Sequence, residues 1–238
     1  MSKTQPVHTT GPVHTTGTVH TTGPVDATGR RRESAFPNKI SRILLRAVRD
    51  TIGENAGSAV LTTARLSHLI GVWPPANFDA GLTFAEVGRL FEAIDAIYGV
   101  SGGHRIARQA GRTSFKYWVE GLGGVMGFAD VVFRILPLSL RARIGIEVLA
   151  EIFNRYSGQR VVLGETPDSY LFVLEHCGFC QGRRSEEPSC AFPIGVLEET
   201  LFWVSLGRRF TVEETTCIAC GDPVCTFEIG RLPVVTSD

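Results

Sequence analysis

All six cysteines of this 238-residue chain fall between Cys177 and Cys225, and three of them share the stretch EETTCIACGDPVC, residues 213–225. So dense a set of thiols constrains the fold more than any other feature, because whatever the thiols hold must draw separate segments to one point. In a reducing compartment, clustered thiols read as metal ligands or redox groups before they read as disulfides. A disulfide framework suits a small secreted domain. Neither the length nor the polar start MSKTQPVHTT, which lacks the apolar run of a signal peptide, fits one.

Two ligand sets compete for a four-coordinate ion such as zinc. The first pairs Cys177 and Cys180 with Cys217 and Cys220, two CxxC knuckles, and spacing alone favours it. The second joins Cys190 to the run Glu214, Cys217, Cys225 and leaves Cys177, Cys180 and Cys220 spare. The surroundings favour this second set. Gly221, Asp222 and Pro223 reverse the chain between Cys217 and Cys225. Glu214 precedes that turn by less than one hairpin arm, and Cys190 opens a helix expected to cross the sheet. Three thiolates and a carboxylate would close a structural site with no position left for water. Two blander readings compete: free cysteines pack as small hydrophobes, and a CxxC pair can lower a thiol pKa for redox work. No strand–CxxC–helix pattern surrounds Cys177 and Cys180, which counts against redox work.

Upstream, residues 6–29 repeat PVHTTG, PVHTTG, TVHTTG, PVDATG. Four Thr-, Gly- and Pro-rich copies bury too little apolar surface to order themselves, so residues 1–35 are expected to be a disordered tail. Residues 36–238 are expected to form a single domain. Helical periodicity fills 38–53, 54–71, 83–99, 101–123, 124–135 and 138–158, with Asn38 as a candidate cap, Gly53 as a stop and Thr83 with Glu86 as a capping box. After Gly158 the period changes to that of strands at 159–165, 169–177, 208–215 and 224–232, with one helix at 191–207. The expected class is α+β: helices first, then a small antiparallel sheet with a helix across it.

Several functions are disfavoured. The formal net charge of +0 and the absence of a basic face argue against nucleic acid as a partner. There is no phosphate loop. GLGGVMG at 121–127 has Met126 where a dinucleotide loop needs its third glycine. His68, His104 and His176 stand apart from any nucleophile. The most apolar window, 119–140, is broken by Asp130, Arg134 and Pro137, so no transmembrane segment is expected and the location is read as cytoplasmic.

The stretch CGFC, followed by PSCAFPIGVLEETLFWVSLGRRFTVEETTCIACGDPVCTFEIG, resembles the C-terminal half of the 4-vinyl reductase domain family. IGENAGSAVLTTARLSHLI and YGVSGGHRIARQAGRTSFKYW resemble its N-terminal half, so the likeness covers roughly residues 38–232. The resemblance implies a fold similar to haem nitric-oxide-binding and TRAPP-type domains. From the family's phenol-sensing members it implies zinc on Cys190, Glu214, Cys217 and Cys225. It further implies a small hydrophobic ligand, and in a free-standing member a tetrapyrrole handled during bacteriochlorophyll biosynthesis. The phosphate loop and DNA-reading helices of the family's activators are missing. The reading is therefore a zinc-stabilised binding protein, with a homodimer as the default assembly. Its ligand is expected in an apolar pocket between the helices at 104–136 and the sheet. An 8-vinyl reductase acting on a divinyl chlorophyllide precursor and a ligand-free dimerising scaffold are the alternatives.

Overall fold

A computed structural model describes residues 34–122 and 135–234. The hexapeptide repeats, almost all of the helix expected at 124–135, and Gly123, Gly124 and Gly127 lie outside the described residues. Six helices are described: α1 (Asn38–Ile52), α2 (Glu54–Thr63), α3 (Phe84–Tyr98), α4 (Val100–Leu122), α5 (Leu138–Tyr156) and α6 (Ala191–Val204). A short ribbon pairs β1 (Ala35–Pro37) with β2 (Ala80–Thr83). The main sheet holds β3 (Val161–Glu165), β4 (Ser169–Leu174), β5 (Phe210–Thr216) and β6 (Cys225–Pro233) in the antiparallel order β3-β4-β6-β5. The expected α+β class is what the structure shows.

Local chemistry explains most boundaries. α1 buries Ile40, Ile43, Leu44, Ala47 and Val48, a single stripe at helical spacing. Its cap position belongs to Pro37, with no side-chain cap; Asn38, the expected cap, instead donates to Asn77 Oδ1 at 3.0 Å. Gly53, at φ 84°, ends α1 and starts α2 in one residue, a backbone conformation that costs glycine little. The second helix stops at Thr63 rather than running to 71. Arg65 turns left-handed at φ 59°, and the Leu66 amide closes back onto the Leu61 carbonyl at 2.7 Å. α3 opens on the expected capping box: the Glu86 amide donates to Thr83 Oγ1 at 3.2 Å, and the Thr83 amide donates to Glu86 Oε2 at 2.8 Å.

In the sheet, β4 and β6 occupy the centre and pair from Ser169↔Gly230 to Leu174↔Cys225. Phe172 and Leu174 on β4, with Phe227 and Ile229 on β6, are fully buried. Their alternation puts one face of the sheet against the helices. Phe172 meets Phe153 of α5 edge-on, with ring centroids 5.6 Å apart. α6 crosses between the sheet and α4, and the crossing is close because Gly111 and Gly195 face one another. A methyl on either would run into the other helix's backbone. The loop between β4 and α6 is pinned by Phe179, whose ring lies 5.3 Å from Phe192 and 5.4 Å from Phe36.

Candidate metal centre

The period of β5 decides where Glu214 lies. Phe210 and Val212 are buried, and two residues further on Glu214 falls on the same inward side of the strand. Beyond it the pairing slips, from Glu214↔Phe227 to Thr216↔Thr226, a bulge that inserts one residue. That extra residue lets Cys217, three positions after Glu214, be buried in its turn. Cys225 begins β6 on the same buried face as Phe227 and Ile229. Between the two cysteines the turn is braced by the Cys217 amide, which donates to Asp222 Oδ2 at 2.7 Å, and by Gly221 at φ 100°. Cys190 occupies the cap position of α6, where its amide donates to Glu214 Oε2 at 2.7 Å.

The four residues of the second ligand set, Cys190, Glu214, Cys217 and Cys225, thus present donor atoms that all lie within 4.8 Å of one another. The sulfur separations are 3.9 Å for Cys190–Cys217, 3.9 Å for Cys190–Cys225 and 4.0 Å for Cys217–Cys225. The second carboxylate oxygen, Glu214 Oε1, is buried without a hydrogen-bond partner. The two-knuckle set is not gathered. Cys220 is exposed and belongs to neither group of convergent donors, whereas Cys177 and Cys180 do join one.

Cys177 and Cys180 are therefore not the spare thiols that the ligand spacing implies. Cys177 Sγ lies 3.5 Å from Cys190 Sγ, and Cys180 Sγ lies 3.5 Å from Cys225 Sγ. They arrive there because the 175–190 loop folds over the hairpin tip. Arg183 clamps that loop to α3 by an ion pair with Asp95 at 2.6 Å, while also donating to the Phe179 and Ser189 carbonyls. A CxxC motif is the signal available in the sequence; which segment it faces depends on a loop path that spacing does not encode.

Electrostatically the cluster is a set of acids buried together. Burial raises the Cys177 and Cys190 thiols, and burial followed by the adjacent Cys217 raises Glu214 to about 8. Thiol contacts, that of Cys177 foremost, lower Cys180 instead. A bound cation would compensate this crowding, and the donor set can hold a metal ion.

Two clefts lie elsewhere. One, of about 210 Å³, opens between α1, α2 and the segment after it, lined by Leu45, Val48, Leu61, Leu69, Ile70 and Trp73. Arg49 stacks on the Trp73 ring at 4.6 Å. The other, of about 280 Å³, lies between α4, α6 and β5, where the apolar pocket is expected from the sequence, but it carries Arg108, Arg112 and Arg209 with Glu198. Arg112 pairs with Glu198 at 2.7 Å, and Arg108 also contacts that carboxylate. Tyr170, a candidate pocket aromatic, is buried in β4 beneath the Arg231 guanidinium at 4.6 Å. Among the described residues no helix is long and apolar enough to cross a membrane.

Comparison with known proteins meets this geometry in its sheet. The model of the 4-vinyl reductase domain matches residues 172–231. An uncharacterized protein of Methanocaldococcus jannaschii, MJ0745, is 32% identical over 59 residues, which are 25% of this chain and 32% of that protein. The chain therefore spans about a third of that relative's length. The Fe(II) unliganded H-NOX protein from K. algicida superposes with a TM-score of 0.52 at 16% identity, over 84% of this chain and 98% of the other. A point mutant of it gives 0.51 at 17%, over 82% and 96%. At such identity the likeness is one of fold, consistent with the fold that the helices and antiparallel sheet define. The matched domain segment contains every cysteine of the chain, and it supports assigning this protein to the 4-vinyl reductase domain family.

Proposed function

We propose that the chain is a binding protein for a small hydrophobic molecule, its C-terminal sheet fixed by a structural zinc ion on Cys190, Glu214, Cys217 and Cys225, with residues 36–238 acting as one domain. The observation that carries the reading is the sulfur spacing. A tetrahedral zinc ion with Zn–S bonds of about 2.3 Å needs ligand sulfurs about 3.8 Å apart, and the three found are 3.9–4.0 Å apart. Glu214 Oε1, buried and unpartnered, supplies the fourth donor. With four protein ligands the ion would cross-link the strands and activate no water.

The cleft beside Trp73 is the site we assign to the ligand. At about 210 Å³ it falls below the ~300–1,000 Å³ usual for drug-sized ligands. It suits a one- or two-ring apolar compound better than a tetrapyrrole. A tetrapyrrole of (bacterio)chlorophyll biosynthesis is the larger ligand that the family resemblance favours, and the same experiment separates the two.

Native mass spectrometry of the purified chain, repeated after denaturation, tests the proposal. A zinc mass lost on denaturation, absent from Cys217→Ser and retained by Cys220→Ser, is the expected result. A zinc mass unaffected by Cys217→Ser would sink the ligand set. Thermal shift with a benzene-, a naphthalene- and a porphyrin-sized compound then reads the cleft. Stabilisation by the smaller two, abolished in Leu61→Trp, is expected. Stabilisation by the porphyrin alone would favour the tetrapyrrole reading. Reduced-nicotinamide consumption with a divinyl substrate would favour the reductase, and a concentration-dependent mass with no ligand response would favour a scaffold.

A further inference from the structure

We infer that the thiol cluster is built for two metal ions that share the Cys190 and Cys225 sulfurs as bridges. One ion sits on Cys177, Cys180, Cys190 and Cys225, and the other on Cys190, Glu214, Cys217 and Cys225. The inference rests on the metal site proposed above and adds a second ion to it.

Three observations carry it. First, the convergent donors fall into two groups of four, each within 4.8 Å, and the groups have Cys190 and Cys225 in common. Those two sulfurs lie 3.9 Å apart, a length close to the ~3.8 Å edge of a zinc–thiolate tetrahedron, so two tetrahedra can share that edge. Second, each of the extra thiols touches a different bridging sulfur: Cys177 touches Cys190 and Cys180 touches Cys225, both at 3.5 Å. Third, the ligand count closes. Six side chains with two shared give four donors to each ion, and no donor is left over.

Charge points the same way. The five clustered cysteines are buried, as is the Glu214 Oε1 oxygen, and a single divalent ion offsets only two of the six negative charges they carry when ionised. Buried charge without a partner is expensive, so one ion would leave Cys177 and Cys180 as protonated thiols against a metal-bound pair. A second ion lets both act as ligands. Iron–sulfur clusters insert sulfide between their cysteine ligands and hold those sulfurs farther apart than direct contact, so a simple metal–thiolate pair of zinc-like ions suits these separations better.

The test uses the full-length chain titrated with zinc and weighed by native mass spectrometry. Two zinc ions per chain are expected in the wild type and one in the Cys177→Ser/Cys180→Ser double variant. One ion in both proteins overturns the second site and leaves the first standing; none in either overturns both. If the double variant does not fold, the wild type loaded with cadmium-113 decides the matter. Two resonances coupled to each other through the shared sulfurs are expected, and a single resonance would overturn the inference.

Discussion

The helical half and the cysteine-bearing half of this protein are ordered in different ways. From α1 to α3 the chain buries leucine, isoleucine, valine and phenylalanine at helical spacing, each side chain contributing about 1.5–3 kcal/mol by leaving water. At the tip of the β5–β6 hairpin the equivalent interior holds Cys177, Cys180, Cys190, Cys217 and Cys225 with Glu214 between them. A stripe of apolar residues tolerates the loss of one member. A cluster of acids held by a cation does not, because its members repel or sit unsatisfied once the cation leaves. Stability is spread out in one half and concentrated in the other.

Removing the metal is the strongest way to break the comparison. Structural zinc contributes on the order of 10–16 kcal/mol in small zinc domains, as much as a whole domain's net stability of about 5–15 kcal/mol. Chelation should therefore abolish hydrogen-exchange protection in β4, β5 and β6. Should α1 and α3 lose protection at the same chelator concentration, the halves form one cooperative unit and the contrast dissolves. Next in size is Leu90→Ala, at a fully buried position of α3. A loss of about 2–5 kcal/mol in urea unfolding is expected, with zinc content unchanged; a fall in zinc content would show that the halves are coupled.

Smaller effects sharpen it. Gly195→Ala pushes a methyl into the Arg108 carbonyl across the α4–α6 crossing, and overpacking of this kind costs about 1–3 kcal/mol. Since Cys190 caps α6, this variant should also weaken zinc retention in a competition with chelator, which Leu90→Ala should not. Thr83→Ala removes the capping box of α3 and should cost about 1 kcal/mol in a thermal melt, again without touching the metal. A zinc-dependent cost there would contradict the separation.

What is legible in the sequence follows the same division. Helix positions come from periodicity, and the Thr83–Glu86 box is readable because both partners sit within one turn. α2 is shorter than its periodicity implies, since nothing in TTARLSHLIG announces that Arg65 turns left-handed. The β1–β2 ribbon is invisible to pattern because strands of 3 and 4 residues carry no alternation. At the cluster, the Glu214, Cys217 and Cys225 spacing can be tied to one hairpin, a local unit. Cys177 and Cys180 cannot, because their approach depends on Arg183 gripping Asp95, a partner 88 residues away. The pocket expected between α4 and the sheet is instead a cleft lined by three arginines, and the apolar cleft opens between α1 and α2.

The central pairing of the sheet has a kinetic consequence. β4 ends at Leu174 and its partner β6 begins at Cys225, so these neighbours cannot zip until α6 and the β5 strand have been placed between them in the chain. Closing so long an interval carries an entropic barrier before any contact rewards it. Thiols drawn from both sides of that interval meet at its end, so an ion captured early by the hairpin tip would tether the returning loop and shorten the search. The rate of refolding, and not only the final stability, should then rise with the free metal concentration.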